Sequence, residues 1–406
     1  MYNIIYALKI TPIFLYLLSK QKRSQPMKQQ KTIMIIAGEA SGDTHGAHLV
    51  EAIKQKKQNI QFVGLGGDHM KAAGVELYVH LNELSVVGIT EVFARRGGIL
   101  AGLRQAKEML RNMRPDLLIL IDFPDFNMIV ARTAKNLGIP ILYYISPQVW
   151  AWRSGRVKKI KRLVDHMAVI LPFEADFYRK HHVPVTYVGH PLLEHPVLPP
   201  VEKESEKQLT IGLLPGSRAG EVQNLLPIMV QAADYMAGEF QDIQFVIPRA
   251  PTIESAQIQD ILSQSSFKNS PQFSVVDAHA QYVNQISNLV IVASGTATLE
   301  VALSETPMII IYKVSKISYT LVKVLVNVSH IVLANLVAGQ RVVPELIQDE
   351  ATPENVFVTA RQMLNDPGHM QKIQRKLKMI RQRLGGPGAS QKTADIAFQL
   401  LKKQAL

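Results

Sequence analysis

Short apolar runs that end in glycine, serine or aspartate alternate with longer amphipathic stretches along almost the whole chain. No other feature restricts the fold as strongly. TIMIIAG (32–38) reads as a buried strand closing on a glycine, and SGDTHGAHLVEAIKQ (41–55) as the helix after it. IQFVGLGG (60–67), DLLILID (116–122), PILYYIS (140–146), MAVILPF (167–173) and VTYVGHP (185–191) repeat the strand pattern, with helical stretches over 99–113 and 127–137. Continuous apolar runs of strand length are strands buried on both faces, and helices between them are crossovers. Such a chain forms a parallel, doubly wound sheet.

The pattern then runs a second time. Residues 191–208 (PLLEHPVLPPVEKESEKQ) hold four prolines and a charge cluster, the composition of a linker. LTIGLLPGSR (209–218) restarts the alternation, followed by a helix over 220–237 and strands at 243–250, 273–277, 289–295 and 307–312. The expected fold class is α/β, with two Rossmann-like doubly wound domains facing a cleft. The expected organisation is an extension over 1–26, a first domain over 27–190, the linker over 191–208, a second domain over 209–365, and basic helices over 366–406. A length of 406 residues suits two domains of ordinary size.

Composition narrows the function. At 47% hydrophobic residues the chain is not disordered, and without cysteine it has no disulfide, thiolate metal site or cysteine nucleophile. The net charge of +12 points to an acidic partner: nucleic acid, anionic lipid or a phosphorylated substrate. That charge is localised. Residues 1–31 and 153–162 each carry six bases and no acid, and 371–406 carries nine bases against Asp395, leaving the rest of the chain mildly acidic.

The apolar run at 4–18 is short for a membrane span and contains Lys9 and Pro12; its bases follow it, unlike those of a signal peptide. Met27 stands just before the first strand, so residues 1–26 read either as the product of an upstream start or as an anchor.

Five segments carry chemistry. GEASGDTHG (38–46) joins a strand to a helix and offers a sugar hydroxyl or an anion a close backbone approach, or is a tight turn in which Asp43 caps the helix. IDFPDFN (121–127) puts Asp122 at the carboxyl end of a strand, where open α/β sheets bind ligands. A carboxylate there takes a proton from a hydroxyl nucleophile, or serves as an Asx turn or cap, with Asp125 and Asn127 suited to capping. YYISPQVWAWRSGRVKKIKR (143–162) holds both tryptophans and then six bases, either a stacking or interfacial surface or a core tryptophan beside a solvated basic helix. LLPGSRAGEV (213–222) presents Gly216 and Ser217 at a helix start with Arg218 ready to clamp phosphate oxygens, or is a plain βα turn. VASGTATLE (292–300) repeats the arrangement with Ser294, Gly295 and Thr296, and Glu300 one turn on within reach of a ribose, or is a capped helix with an exposed glutamate. Two anion-ready turns in one domain make a nucleoside diphosphate the simplest shared ligand. The twelve histidines show no ligand spacing, so neither a metal nor another cofactor is expected.

Taken together, GEASGD, the GG at 66–67, LSVVGITEV (84–92), RPDLLILIDFPDFN (114–127), SPQVWAWR (146–153), LPFE (171–174), VGHP (188–191), LLPGSR, ASGTATLE and NLVAG (335–339) resemble the lipid-A-disaccharide synthase family from about Met27 to the carboxyl end. The resemblance implies an inverting glycosyltransferase of GT-B architecture. It implies transfer of 2,3-diacylglucosamine from UDP-2,3-diacylglucosamine to 2,3-diacylglucosamine 1-phosphate, in lipid A and lipopolysaccharide biosynthesis. It places the enzyme as a peripheral protein on the cytoplasmic face of a Gram-negative inner membrane. The second domain, with Gly216, Ser217, Arg218, Ser294, Gly295, Thr296 and Glu300, is then the UDP side. Asn335 and Gln340 approach the nucleotide by motif position alone. The first domain, with Glu39 and Asp122, is the acceptor side, and Asp122 is the general base. Two features depart from the family: residues 1–26 have no counterpart, and Ala334 stands where proline is expected.

Within 92–103, Val92, Phe93, Ile99, Leu100 and Leu103 lie beside Arg95 and Arg96, an apolar face for membrane or acyl contact or an ordinary core helix, with Gly97-Gly98 expected to break it. A homodimer is expected if the carboxyl-terminal helices cross to a second copy. The alternatives are another UDP-sugar enzyme, such as a UDP-GlcNAc 2-epimerase or the muramyl-lipid glucosaminyltransferase, and a non-catalytic binder of anionic lipid. GEASGD and SPQVWAW argue against both enzymes. Nucleic acid is not expected, since the chain has no alternating aromatic stripe and no RNA-binding signature.

Overall fold

The computed structural model describes residues 30–84, 91–152, 154–194, 208–278, 280–314 and 332–403, and of residues 84, 91–96, 151, 152 and 154 the backbone only. The extension over 1–26, most of LSVVGITEV and residues 195–207 of the linker lie outside them.

Two parallel sheets form the frame. The first contains β1 (Lys31–Ala37), β2 (Ile60–Gly66), β3 (Glu76–His80), β4 (Leu117–Ile121), β5 (Ile141–Tyr144), β6 (His166–Val169) and β7 (Val185–Tyr187), in the order β3-β2-β1-β4-β5-β6-β7. The second contains β8 (Leu209–Leu214), β9 (Ile243–Pro248), β10 (Gln272–Val276), β11 (Leu289–Ala293), β12 (Met308–Tyr312) and β13 (Glu345–Ile347), in the order β10-β9-β8-β11-β12-β13. β4 and β11 are apolar and buried at every position, as strands covered on both faces must be. The runs read from the sequence are these strands, most ending one to four residues earlier because the last residues of the run belong to the following turn, and β12 ending where its run does. β3 and β13 were not legible: both are edge strands, short and partly exposed, so neither forms an apolar run.

Each sheet has one switch point, where strand order reverses: between β1 and β4 in the first, and between β8 and β11 in the second. Ligands of open α/β sheets bind beyond the carboxyl ends of the strands at such points. The turns after β1 and β4 are GEASGD and IDFPDFN, and those after β8 and β11 are LLPGSR and ASGTATLE.

The carboxyl-terminal residues do not form a unit of their own. The helix Pro367–Arg383 buries Ile373, Leu377 and Ile380 in the core of the second domain. The helix Ala389–Lys403 returns to the first domain and buries Ala394, Ile396, Ala397, Leu400 and Leu401 with Ile33, Ile35 and Ile53. Between the two helices, Tyr187 Oη donates to Leu384 O at 2.6 Å, and Ser390 N and Oγ donate to the Glu194 carboxylate at 2.7 and 2.6 Å. The helix expected to reach a second copy packs on the first domain of its own chain.

The helix Glu91–Met113 runs without interruption through Gly97 and Gly98, against the expected break. Leu100 is 61% exposed and Ile99 partly buried, whereas Leu103 belongs to the core under the sheet. Leu103 is thus a core residue rather than part of an outward apolar face. The side chains of Val92 and Phe93 lie outside the described residues.

Candidate active site

Asp122 follows β4 directly, and its backbone is unusual. Asp122 and Phe123 have φ of 43° and 46°, two consecutive non-glycine residues in the left-handed region. Three bonds hold this turn. Tyr143 Oη donates to Asp122 O at 2.6 Å, and Asn127 Nδ2 donates to Asp122 O at 2.7 Å and to Ile121 O at 3.2 Å. Asn127 is fully buried and ties the turn from beneath, so it does not cap the helix Pro124–Asn136. That helix has Phe123 at its amino-terminal cap and no side-chain cap bond, so Asp122 does not cap it either. The Asp122 carboxyl is thus not spent on a helix cap. Burial, then the nearby Glu39 charge, pushes its pKa up to about 6, with a backbone bond at Phe123 acting the other way.

The first glycine of GEASGD has a steric reason: a Cβ at Gly38 would run into the Phe123 ring, so the two switch-point turns pack through it. Asp43 was expected to cap its own helix, Ala40–Lys56. It is buried instead and accepts N–H bonds from Gly67 (2.7 Å), His69 (3.0 Å) and Met70 (3.1 Å), capping the neighbouring turn. The carboxylate leaves no room for a Cβ at Gly67, which accounts for part of the GG motif. Both residues are structural.

Across the cleft, Arg218 stands at the start of the helix Ala219–Ala237. Its guanidinium lies 3.1 Å from Glu221 Oε1 and 3.8 Å from Glu39 Oε2. The second contact joins the two domains and shows that the two switch points face each other. Gly216 adopts φ 114° and Ser217 is exposed. After β11, Gly295 and Thr296 are exposed, and a Cβ at Gly295 would meet only open space. The Ser294 N–H is already bonded to Ile311 O at 3.0 Å, so only its hydroxyl can serve a ligand. Glu300 is half-buried on the helix Ala297–Leu303.

Asn335 does not face the cleft. It is fully buried: Oδ1 accepts from Val342 N (2.7 Å) and Val343 N (3.1 Å), and Nδ2 donates to Val343 O (3.0 Å) and Glu345 Oε1 (2.6 Å). With its whole capacity used, it fixes the loop after Gly339 and has nothing left for a nucleotide. Gln340 and Arg341 are exposed on that loop.

Trp150 lies at the domain junction. Its ring packs edge-on against Phe173 (centroids 4.8 Å apart) and onto the second domain's core, and its Nε1 donates to Glu174 Oε1 at 3.1 Å. The core-tryptophan reading of this segment is the one the contacts support; the Trp152 side chain lies outside the described residues. Glu174, in LPFE, also accepts the N–H of Leu171 at 3.0 Å, and burial pushes its pKa up to about 7. Its partners are distant or belong to the backbone, so nothing local in the sequence marked it.

The family model described as lipid-A-disaccharide synthetase matches residues 33–399. The chain belongs to the lipid-A-disaccharide synthase family. A lipid-A-disaccharide synthase of Geobacter metallireducens is 45% identical over 383 residues, covering 92% of this chain and 98% of the relative. One from Coxiella burnetii is 39% identical over 378 residues, covering 91% and 99%. Among solved structures, the calicheamicin glycosyltransferase CalG4 superposes with a TM-score of 0.61 at 15% identity (93% of this chain, 100% of that one), and Acinetobacter baumannii MurG with 0.56 at 16% (90% and 99%). These distant structures share the two-domain GT-B fold. The family makes this chain a hexosyltransferase of lipid A biosynthesis. No helix among the described residues is long and apolar enough to cross a membrane.

Proposed function

We propose that the chain transfers 2,3-diacylglucosamine from UDP-2,3-diacylglucosamine to the 6-hydroxyl of 2,3-diacylglucosamine 1-phosphate, forming the β-1,6-linked disaccharide 1-phosphate and UDP. The reading rests above all on the two facing switch points, one carrying a carboxyl with raised pKa and the other an arginine at a helix start.

Asp122 takes the proton from the acceptor 6-hydroxyl. The oxygen attacks the anomeric carbon from the face opposite UDP. The bond to the diphosphate oxygen breaks as the new one forms, and the configuration inverts. Arg218 and the first amides of the helix Ala219–Ala237 stabilise the charge that grows on the leaving diphosphate. Glu39 supports Arg218 and sets the field at Asp122; when donor binds, the diphosphate takes over its place on Arg218. Gly216, Ser217, Ser294, Gly295, Thr296 and Glu300 line the donor side, Gln340 borders it, and Asn335 holds the loop behind it.

The protein works as a peripheral enzyme on the cytoplasmic face of the inner membrane. The exposed Leu100 and the basic helix Val157–Leu163, which keeps Lys158, Lys161 and Arg162 in solvent, fit that placement. Replacing Asp122 by Ala should abolish turnover and leave UDP affinity intact by calorimetry. Near-normal turnover would take the base assignment away from Asp122.

A further inference from the structure

A cavity of about 230 Å³ opens beside the Asp122 turn, on the first domain. Its wall begins with Pro124 and Asp125, two and three residues beyond Asp122. Most of the lining is apolar and includes Met128, Ile129 and Ile160; its cations are Arg156 and Lys159.

The charge there is unbalanced. Asp125 Oδ1 lies 2.7 Å from Arg156 Nη2. Lys159 makes no hydrogen bond or close ion pair among the described residues. Burial first, and then the repulsion of Arg132, Arg156 and Arg162, lowers its pKa against the pull of Asp125. Two cations, Arg156 and Lys159, thus face one carboxylate at the mouth of a mainly apolar hollow. A small inorganic anion would satisfy the cations and leave the apolar lining unused; an amphiphile with an anionic head matches both.

We infer that this cavity holds the phosphate monoester of the acylated acceptor sugar, with Arg156 and Lys159 on the phosphate oxygens and Met128, Ile129 and Ile160 against the first carbons of an acyl chain. The inference rests on the proposed function and deepens it. The 1-phosphate and the 6-hydroxyl of a hexose are separated by one ring, and the cavity wall starts two residues from the proposed base. One sugar can therefore meet both. Arg156 holds the phosphate in a fork and Lys159 adds a point charge.

The test compares two acceptors, diacylglucosamine 1-phosphate and dephosphorylated diacylglucosamine, with the native enzyme, R156Q, K159Q and the double variant. Each lost charge-assisted contact should lower the kcat/KM preference for the phosphorylated acceptor by roughly tenfold, and the double variant by about 100-fold. UDP affinity and sedimentation with phosphatidylglycerol vesicles should not change. An unaltered preference overturns the inference. So does a parallel loss on both acceptors together with weaker UDP binding, which would mark a structural role. Loss of vesicle binding with the preference intact would assign the cations to bilayer headgroups instead. If the native enzyme forms disaccharide and only the preference fails to move, this inference alone falls; if the native enzyme forms none, the functional reading falls with it.

Discussion

Asp122 is held on a backbone that an isolated chain would avoid. Left-handed conformations at two successive non-glycine residues cost on the order of 1–3 kcal/mol each, and buried partners maintain them. Tyr143→Phe removes one of those partners. It should cost about 0.5–1.5 kcal/mol in thermal or denaturant unfolding and lower kcat, with UDP affinity unchanged. As a base, Asp122 must be ionised. Activity should therefore rise with pH through about 6 and level off above it, and a profile flat from pH 5 to 8 would speak against the role. Glu174 titrates near 7 with the opposite consequence for stability. Its folded-state pKa is raised, so its contribution is full below about 4.5 and is lost as pH rises through about 7. Glu174→Gln should flatten the fall in melting temperature between pH 5 and 8. Asp122 was legible because a carboxylate ending an apolar run stands out. Asn127, Tyr143 and Glu174 were not, because their partners are carbonyls or side chains that only the fold brings near.

The elements were legible wherever burial is two-sided. β1, β4, β8 and β11, which flank the switch points, are continuous apolar runs, and their terminal glycines and polar residues mark the four turns that form the cleft. The edge strands β3 and β13 and the loop supports were not legible in that way, although the edge strands β7 and β10 were. Asn335 shows why: its motif position pointed to the ligand, but its amide serves the loop after Gly339. Asn335→Ala would leave the Val342 and Val343 amides and Glu345 without their partner. It should cost roughly 1–3 kcal/mol in stability, read by denaturant unfolding, and raise KM for the UDP-sugar more than it lowers kcat. A large fall in kcat at unchanged stability would return Asn335 to the ligand.

At the scale of the molecule, the carboxyl-terminal helix decides how the domains are tied. It leaves the second domain, passes Glu194 and Tyr187, and seals the outer face of the first sheet, where Lys56 also pairs with Asp395. A chain ending before Ala389 would lose the burial of Ile396, Leu400 and Leu401, worth roughly 1.5–3 kcal/mol each, and uncover the surface around Ile33, Ile35 and Ile53. Its first domain should melt well below that of the full chain, as followed by calorimetry. The sequence marked this region only as basic and helical, because its packing partner lies more than three hundred residues earlier. The charge pattern gains a location in the same way: the helix Val157–Leu163 borders a cavity beside the proposed base. On this reading the two domains carry out sugar transfer across the cleft. The most direct test is to incubate the protein with UDP-2,3-diacylglucosamine and 2,3-diacylglucosamine 1-phosphate and to follow the products by mass spectrometry and by the anomeric NMR coupling of the new linkage. A β-1,6-linked disaccharide 1-phosphate should form with one UDP released per disaccharide; UDP released without disaccharide, an α-linked product, or no reaction would rule out this transfer.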